Sequence, residues 1–122
     1  MKNLSILILI LSFISADMVN AEVITYQCSF DRYEGPNGGG TEDFRFTIQL
    51  DSVTKDAYIV GSQGLAKLAH IPAAFGRSFI EFSDTGNVMV TTIAEDGKAV
   101  HSRNTMMFGD LIPSQYYGEC KK

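Results

Sequence analysis

The sequence predicts an all-β domain, a small antiparallel meander barrel or sandwich of about seven or eight strands with one disulfide between its terminal strands. Three observations carry this. Apolar and polar residues alternate with period two in one segment after another. Turn-forming residues interrupt the chain at close intervals. Two cysteines, Cys28 and Cys120, stand near the two ends of what remains once an N-terminal leader is set aside. No long stretch holds helical spacing, and no segment repeats another.

Residues 1–21 read as a signal peptide. Lys2 gives the positive start, and Leu4–Ile14 is an apolar run too short to cross a bilayer comfortably as a helix. Val19-Asn20-Ala21 offers the small residue a signal peptidase needs, with Ala16 the second choice, and no cysteine follows either position to take a lipid. The expected product is residues 22–122, a single β domain, periplasmic or secreted, and not membrane-spanning after the signal is removed. Of the 122 residues 45% are hydrophobic and 20% charged, a balance that excludes disorder and suits a small core. A net charge of −4 lacks the basic field that a nucleic-acid backbone requires, so no nucleic-acid partner is expected.

Export decides how the cysteines read. In an oxidising compartment an isolated pair is most simply a disulfide, and CxxC spacing with neighbouring histidines, the mark of a redox or metal pair, is missing. The ring closed by Cys28 and Cys120 holds about 90 residues, for which the chain-entropy relation gives about 4 to 5 kcal/mol. The first and last strands must then be spatial neighbours.

Val23–Asp31 places Ile24, Tyr26, Cys28 and Phe30 on one face; Asp43–Leu50 does the same with Phe44, Phe46, Ile48 and Leu50. Between them Glu34-Gly35-Pro36-Asn37-Gly38-Gly39-Gly40 reads as a loop. Further strands are expected at about 56–61, 78–83, 87–94, 98–107 and 114–121, separated by turn residues such as Asp84-Thr85-Gly86-Asn87. Leu65–Ile71 fits either one helical turn or a strand, and its shortness favours the strand. Treating Asp96-Gly97 as a two-residue turn opposes Glu95 to Lys98 and hence Ile93 to Val100, Thr91 to Ser102 and Met89 to Asn104. That register leaves His101 and Arg103 facing water. It buries Thr91, Ser102 and Asn104 as an interior polar cluster or as the wall of a pocket.

Tests for chemistry mostly fail. Gly38–Gly40 is followed by neither a Lys-Ser/Thr pair nor a helix, so it is no phosphate cradle. His101 and Ser102 are strand neighbours pointing to opposite faces, and no G-x-S-x-G elbow is present, so no catalytic residue is assigned. The pairs Glu42-Asp43 and Glu95-Asp96 read as solvated charges, and Asp84, Asn87 and Asp96 match no calcium loop, so neither metal nor cofactor is expected. What remains is a polar and aromatic segment near the end of the chain. Tyr116 and Gly118 share the Cys120 face, while Gln115 and Tyr117 point outward beside His101 and Arg103, a candidate recognition surface.

Tyr26-Gln27-Cys28, Cys120 and the size of the exported domain resemble the small periplasmic inhibitors of c-type lysozyme. That likeness implies an antiparallel β-barrel with a disulfide between its first and last strand regions. The S-G-x-x-Y loop of that family has no counterpart here, Ser62-Gln63-Gly64 departing from it, and no inhibitory residue is carried over. Val100–Thr105 (V-H-S-R-x-T) and Pro113–Cys120 (P-S-Q-Y-Y-G-x-C) also resemble exported β-proteins of Gram-negative bacteria that have no assigned activity. The functional expectation is a non-enzymatic module binding a protein or other cell-envelope component. The alternatives are a c-type lysozyme inhibitor and a small-ligand carrier with an interior pocket near Met89, Asn104, Met106 and Phe108.

Overall fold

The computed structural model describes residues 22–62 and 64–122; the expected leader lies outside them. Among the described residues the strands are β1 (Val23–Gly35), β2 (Gly38–Asp51), β3 (Ala57–Gly61), β4 (Gly64–Ala73), β5 (Gly76–Phe82), β6 (Val88–Ala94), β7 (Lys98–Met107) and β8 (Asp110–Lys121). Each pairs antiparallel with the next, and β8 returns to β1, closing a barrel in chain order. Closure removes the unpaired sheet edges that an open meander would expose.

The alternation seen in the sequence is the inside-outside alternation of the barrel wall. Tyr26, Cys28 and Phe30 of β1 meet Phe46, Ile48 and Leu50 of β2, Ala57, Leu68, Phe79, Ile93 and Tyr116 in one core. Phe30, Ile48, Leu50 and Phe79 are almost wholly buried, so the middle of the barrel is filled by side chains. Residues 65–71 lie within β4, with Leu68 in the core, which resolves that segment as a strand.

Two sequence expectations are corrected. The stretch from Glu34 to Gly40 is not an open loop: β1 runs to Gly35 and β2 starts at Gly38, leaving only Pro36-Asn37 between them. Tyr33 pairs with Gly40, and its ring lies over the bare backbone there, so an aromatic covers what glycine leaves open. A bulge in β1 between Phe30 and Arg32 turns Tyr33 back toward Tyr116, at 6.1 Å between ring centroids, and sends Arg32 outward.

The second correction concerns the β6–β7 hairpin. Thr91 opposes His101, Thr92 opposes Val100 and Ile93 opposes Ala99, one residue away from the pairing expected for a two-residue Asp96-Gly97 turn. The connection has three residues, Glu95-Asp96-Gly97. The Gly97 amide donates to the Ala94 carbonyl at 2.9 Å, and Gly97 sits at φ 91°, the left-handed position a three-residue hairpin needs. Gly97 also accepts from the Cys120 amide at 2.8 Å, which ties the turn to β8. Because side chains alternate, a slip of one residue exchanges the faces of β7. His101 and Arg103 point into the barrel, while Ser102 and Asn104 point out.

The β1–β8 seam carries the disulfide. Cys28 and Cys120 are directly opposed, with Cα atoms 4.0 Å apart, and are joined across 92 residues of sequence. Two residues away, Gly118 faces Phe30, and a Cβ at 118 would overlap the Ser29 carbonyl and crowd the Phe30 Cα at 2.6 Å. The seam therefore demands glycine. Gly118→Ala is expected to destabilise the protein by about 2 kcal/mol through strand separation at the seam; urea unfolding checks it, and a loss below about 0.5 kcal/mol contradicts it.

Candidate functional sites at the two mouths of the barrel

The β1–β2, β3–β4, β5–β6 and β7–β8 turns surround one mouth of the barrel; the remaining turns surround the other. At the first mouth the interior opens into a cup of about 750 Å³. Its apolar wall is Phe44, Phe46, Ile59 and Met89, and its polar groups are Glu81, His101 and Arg103, with the Asp43–Arg45 ion pair on the rim. His101 is 3% exposed. Its Nδ1 shares a hydrogen bond of 2.7 Å with Thr91 Oγ1, and its ring lies 5.2 Å from Phe46 and 5.4 Å from Phe44. Burial, with the Arg103 charge second, lowers its pKa to about 4, so the ring is neutral at physiological pH. Arg103 Nη1 donates to Tyr116 Oη at 3.5 Å, while Arg103 Nε is buried without a partner.

The expected recognition surface is thus divided. Gln115 and Tyr117 are on the outer face, joined by a 2.6 Å hydrogen bond from Tyr117 Oη to Gln115 Oε1, and the Arg32 guanidinium lies 4.5 Å from the Tyr117 ring centroid. His101 and Arg103 are inside, and the one-residue slip is the cause. The expected interior cluster is corrected by the same slip. Thr91 is buried, but its partner is His101; Ser102 and Asn104 face outward and do not join it. Of the residues expected around an interior pocket, Met89 lines the cup, whereas Asn104, Met106 and Phe108 are exposed.

Beside the cup, β7 and β8 continue past the barrel. The pairing of β6 with β7 ends at Asn104 and that of β1 with β8 at Gln115, while β7 and β8 stay paired out to Met107 and Asp110. The resulting two-stranded finger rises about 13 Å at the usual strand rise. Met106, Met107 and Leu111 are exposed on it, and Phe108 at the tip is 101% exposed, at φ 52°. Asn87 of the β5–β6 turn braces its base, Oδ1 accepting from the Met106 amide at 3.0 Å. The sequence reading missed this finger because the run from Thr105 to Ile112 looks like an ordinary strand end; the signal was five apolar residues crowded about the single glycine of the Phe108-Gly109 turn.

At the opposite mouth a cavity of about 690 Å³ lies among Tyr26, Arg77, Ile93 and Lys122. Arg77 Nη1 is 3.4 Å from His70 Nε2, and since a guanidinium only donates, Nε2 accepts. Burial, then the Arg77 and Lys55 charges, lowers the His70 pKa below its usual value. The His70 ring stacks on Phe79 with centroids 5.2 Å apart. Sequence reasoning passed over Tyr26 and Arg77 as sites, although Arg77 shares the inward parity of Phe79.

Asp84 and Asn87 lie in the β5–β6 turn and Asp96 in the β6–β7 turn, at opposite ends of the barrel. No group of three or more His, Cys, Asp or Glu side chains placed to hold a metal ion occurs among the described residues, and no helix among them is long and apolar enough to cross a membrane. No protein family, curated protein or solved structure matches this chain.

Proposed function

We propose that the chain is a non-enzymatic binding module of an oxidising, exported compartment, and that it takes a protein or other envelope component on the finger beside the cup. The disulfide supports the compartment. The observation that carries the docking site is Phe108, held wholly in water at the end of a braced hairpin with Met106, Met107 and Leu111 beside it. Burying such a side chain is worth about 1.5–3 kcal/mol, so the fold leaves unused a surface that a partner would reward. Methionine adapts its shape to the surface it meets, which suits a contact face. His101 supports the non-enzymatic reading, since its ring is buried among aromatic side chains and hydrogen-bonded to Thr91, with no carboxylate among the described residues bonded to it to orient it as a base.

A photo-crosslinking residue at 108 is expected to capture one discrete partner in the exported compartment, and the same residue at exposed Val53, at the far mouth, is expected to capture none. Phe108→Asp should weaken that partner about tenfold or more while leaving thermal stability unchanged. Equal capture at both positions, or no capture at either, defeats the proposal. The lysozyme resemblance supplies one named partner to assay: slowing of c-type lysozyme that is lost with Phe108→Asp identifies it.

The cup favours a second reading, carriage of a small apolar molecule, confined to this mouth because the barrel's middle is filled. Met89→Trp separates the two. A carrier loses its ligand when the cup is filled, while docking on the finger is unaffected.

A further inference from the structure

We infer that the mouth opposite the finger is a separate anion site, in which Arg77 and the Tyr26 hydroxyl receive a carboxylate or phosphate group. The inference does not depend on the finger or on the cup beside it. Its first support is a cation without a counter-ion. Arg77 is half-buried and inward-facing, and no carboxylate among the described residues lies within 4.0 Å of it. Its side-chain neighbours are neutral: the ring of His70 at 3.4 Å, and Tyr26, with the guanidinium carbon 5.8 Å from the ring centroid. Removing a guanidinium from water costs free energy that a neutral acceptor does not restore, and an oxyanion restores it well.

The second support is independent. Tyr26 is 3% exposed, lines the cavity, and holds its hydroxyl buried with no hydrogen-bond partner. A buried phenol is ordinarily satisfied, and one left open costs about 1–3 kcal/mol. Tyr26 and Arg77 therefore line one cavity with an unpartnered hydroxyl and a guanidinium fork whose one side-chain acceptor is the neutral His70 Nε2.

The surrounding charge agrees. Lys122 Nζ stands 5.9 Å over the same Tyr26 ring, and Lys55 is close enough for its charge to act on His70. Two acidic residues also line the cavity. Asp96 is engaged with Lys98, accepting from its amide at 3.0 Å and pairing with its Nζ at 3.9 Å, and Glu95 is exposed at the turn. Arg77 is the inward-facing charge of the cavity, while Lys122, Glu95 and Asp96 are all exposed at its mouth. A monoanionic or dianionic oxyanion on a small organic molecule fits this arrangement; a cation does not.

The test titrates the oxidised protein with sodium phosphate and, separately, sodium acetate, following backbone amide shifts at constant ionic strength with sodium chloride as reference. Each successful anion should move one saturable set of resonances around residues 76–77, 94–97 and 120–122 and leave those around His101 in place. Saturation with phosphate alone assigns a phosphate group, and saturation with acetate alone a carboxylate. Arg77→Gln should weaken binding about tenfold or more, and Arg77→Lys less, because the charge survives but the fork is lost. Tyr26→Phe should weaken binding severalfold while leaving the thermal midpoint of the anion-free protein unchanged or higher, since it deletes an unsatisfied hydroxyl. That pairing of lower affinity with undiminished stability is what a purely structural tyrosine would not show. No saturation with either anion, shifts matched by chloride, or affinity unaltered in both Arg77→Gln and Tyr26→Phe overturns the inference.

Discussion

Replacing Cys28 and Cys120 together by alanine is expected to lower the unfolding free energy by about 4 to 5 kcal/mol while preserving the barrel. The size follows from chain entropy: the bond joins residues 92 apart, so it denies the denatured chain most of its freedom. The native barrel has other means of keeping the seam shut, since β1 and β8 are paired from Gln27 with Lys121 to Glu34 with Gln115. The loss should therefore appear in the denatured state, as a steeper dependence on urea in the unbridged variant, whose unfolded chain exposes more surface. Chemical reduction of the unmutated protein should reproduce it. A loss under about 1 kcal/mol would mean that the two strands already associate in the unfolded chain, and the entropic account of this staple would fail.

The bond was legible in the sequence because it required only a count of cysteines and a compartment. Strand periodicity was equally plain wherever one face was continuously apolar, as from Ile24 to Phe30 and from Phe44 to Leu50, since no other arrangement buries those side chains together. Where a strand mixes small, polar and charged residues, periodicity stops discriminating. In β7, Ala99, His101 and Arg103 alternate with Val100, Ser102 and Asn104, and neither set is clearly the apolar one. The face is decided by a turn one residue longer than the Asp-Gly signal implies, and by the neighbours that await each residue. Ala99 meets Gly118, where the seam allows no bulk, and His101 meets Tyr116. Both facts are non-local, so both polar groupings drawn from sequence were split by a single slip. The anion-site residues were hidden for a related reason. An arginine at an inward position reads as an error in a pattern until the tyrosine beside it is seen to lack a partner.

The same slip sets the protein's response to acid. His101 is expected to make folding weaken by about 3 kcal/mol between pH 6.5 and pH 4. Its folded pKa is depressed from 6.5 to about 4, by burial first and by Arg103 on the same strand second. The sign follows from proton binding. Between those two values the unfolded chain takes a proton on this ring and the folded protein does not. Stability therefore falls as pH drops through the window and changes little from this group below pH 4. A gap of about 2.5 units, at about 1.36 kcal/mol each, gives the magnitude. His70 is lowered as well, so it acts in the same direction, but it is far less buried and adds little. Asp51, whose carboxyl is lowered by the Thr54 and Val53 amides, weakens the fold only as pH falls below 3.8, outside this window. Urea unfolding across the range measures the slope, and His101→Gln, which retains a group for Thr91, should flatten it. A slope that survives His101→Gln would assign the acid response to other groups, and a His101 ring that titrates near 6.5 would place this histidine in water and restore the outward face that the three-residue turn denies it.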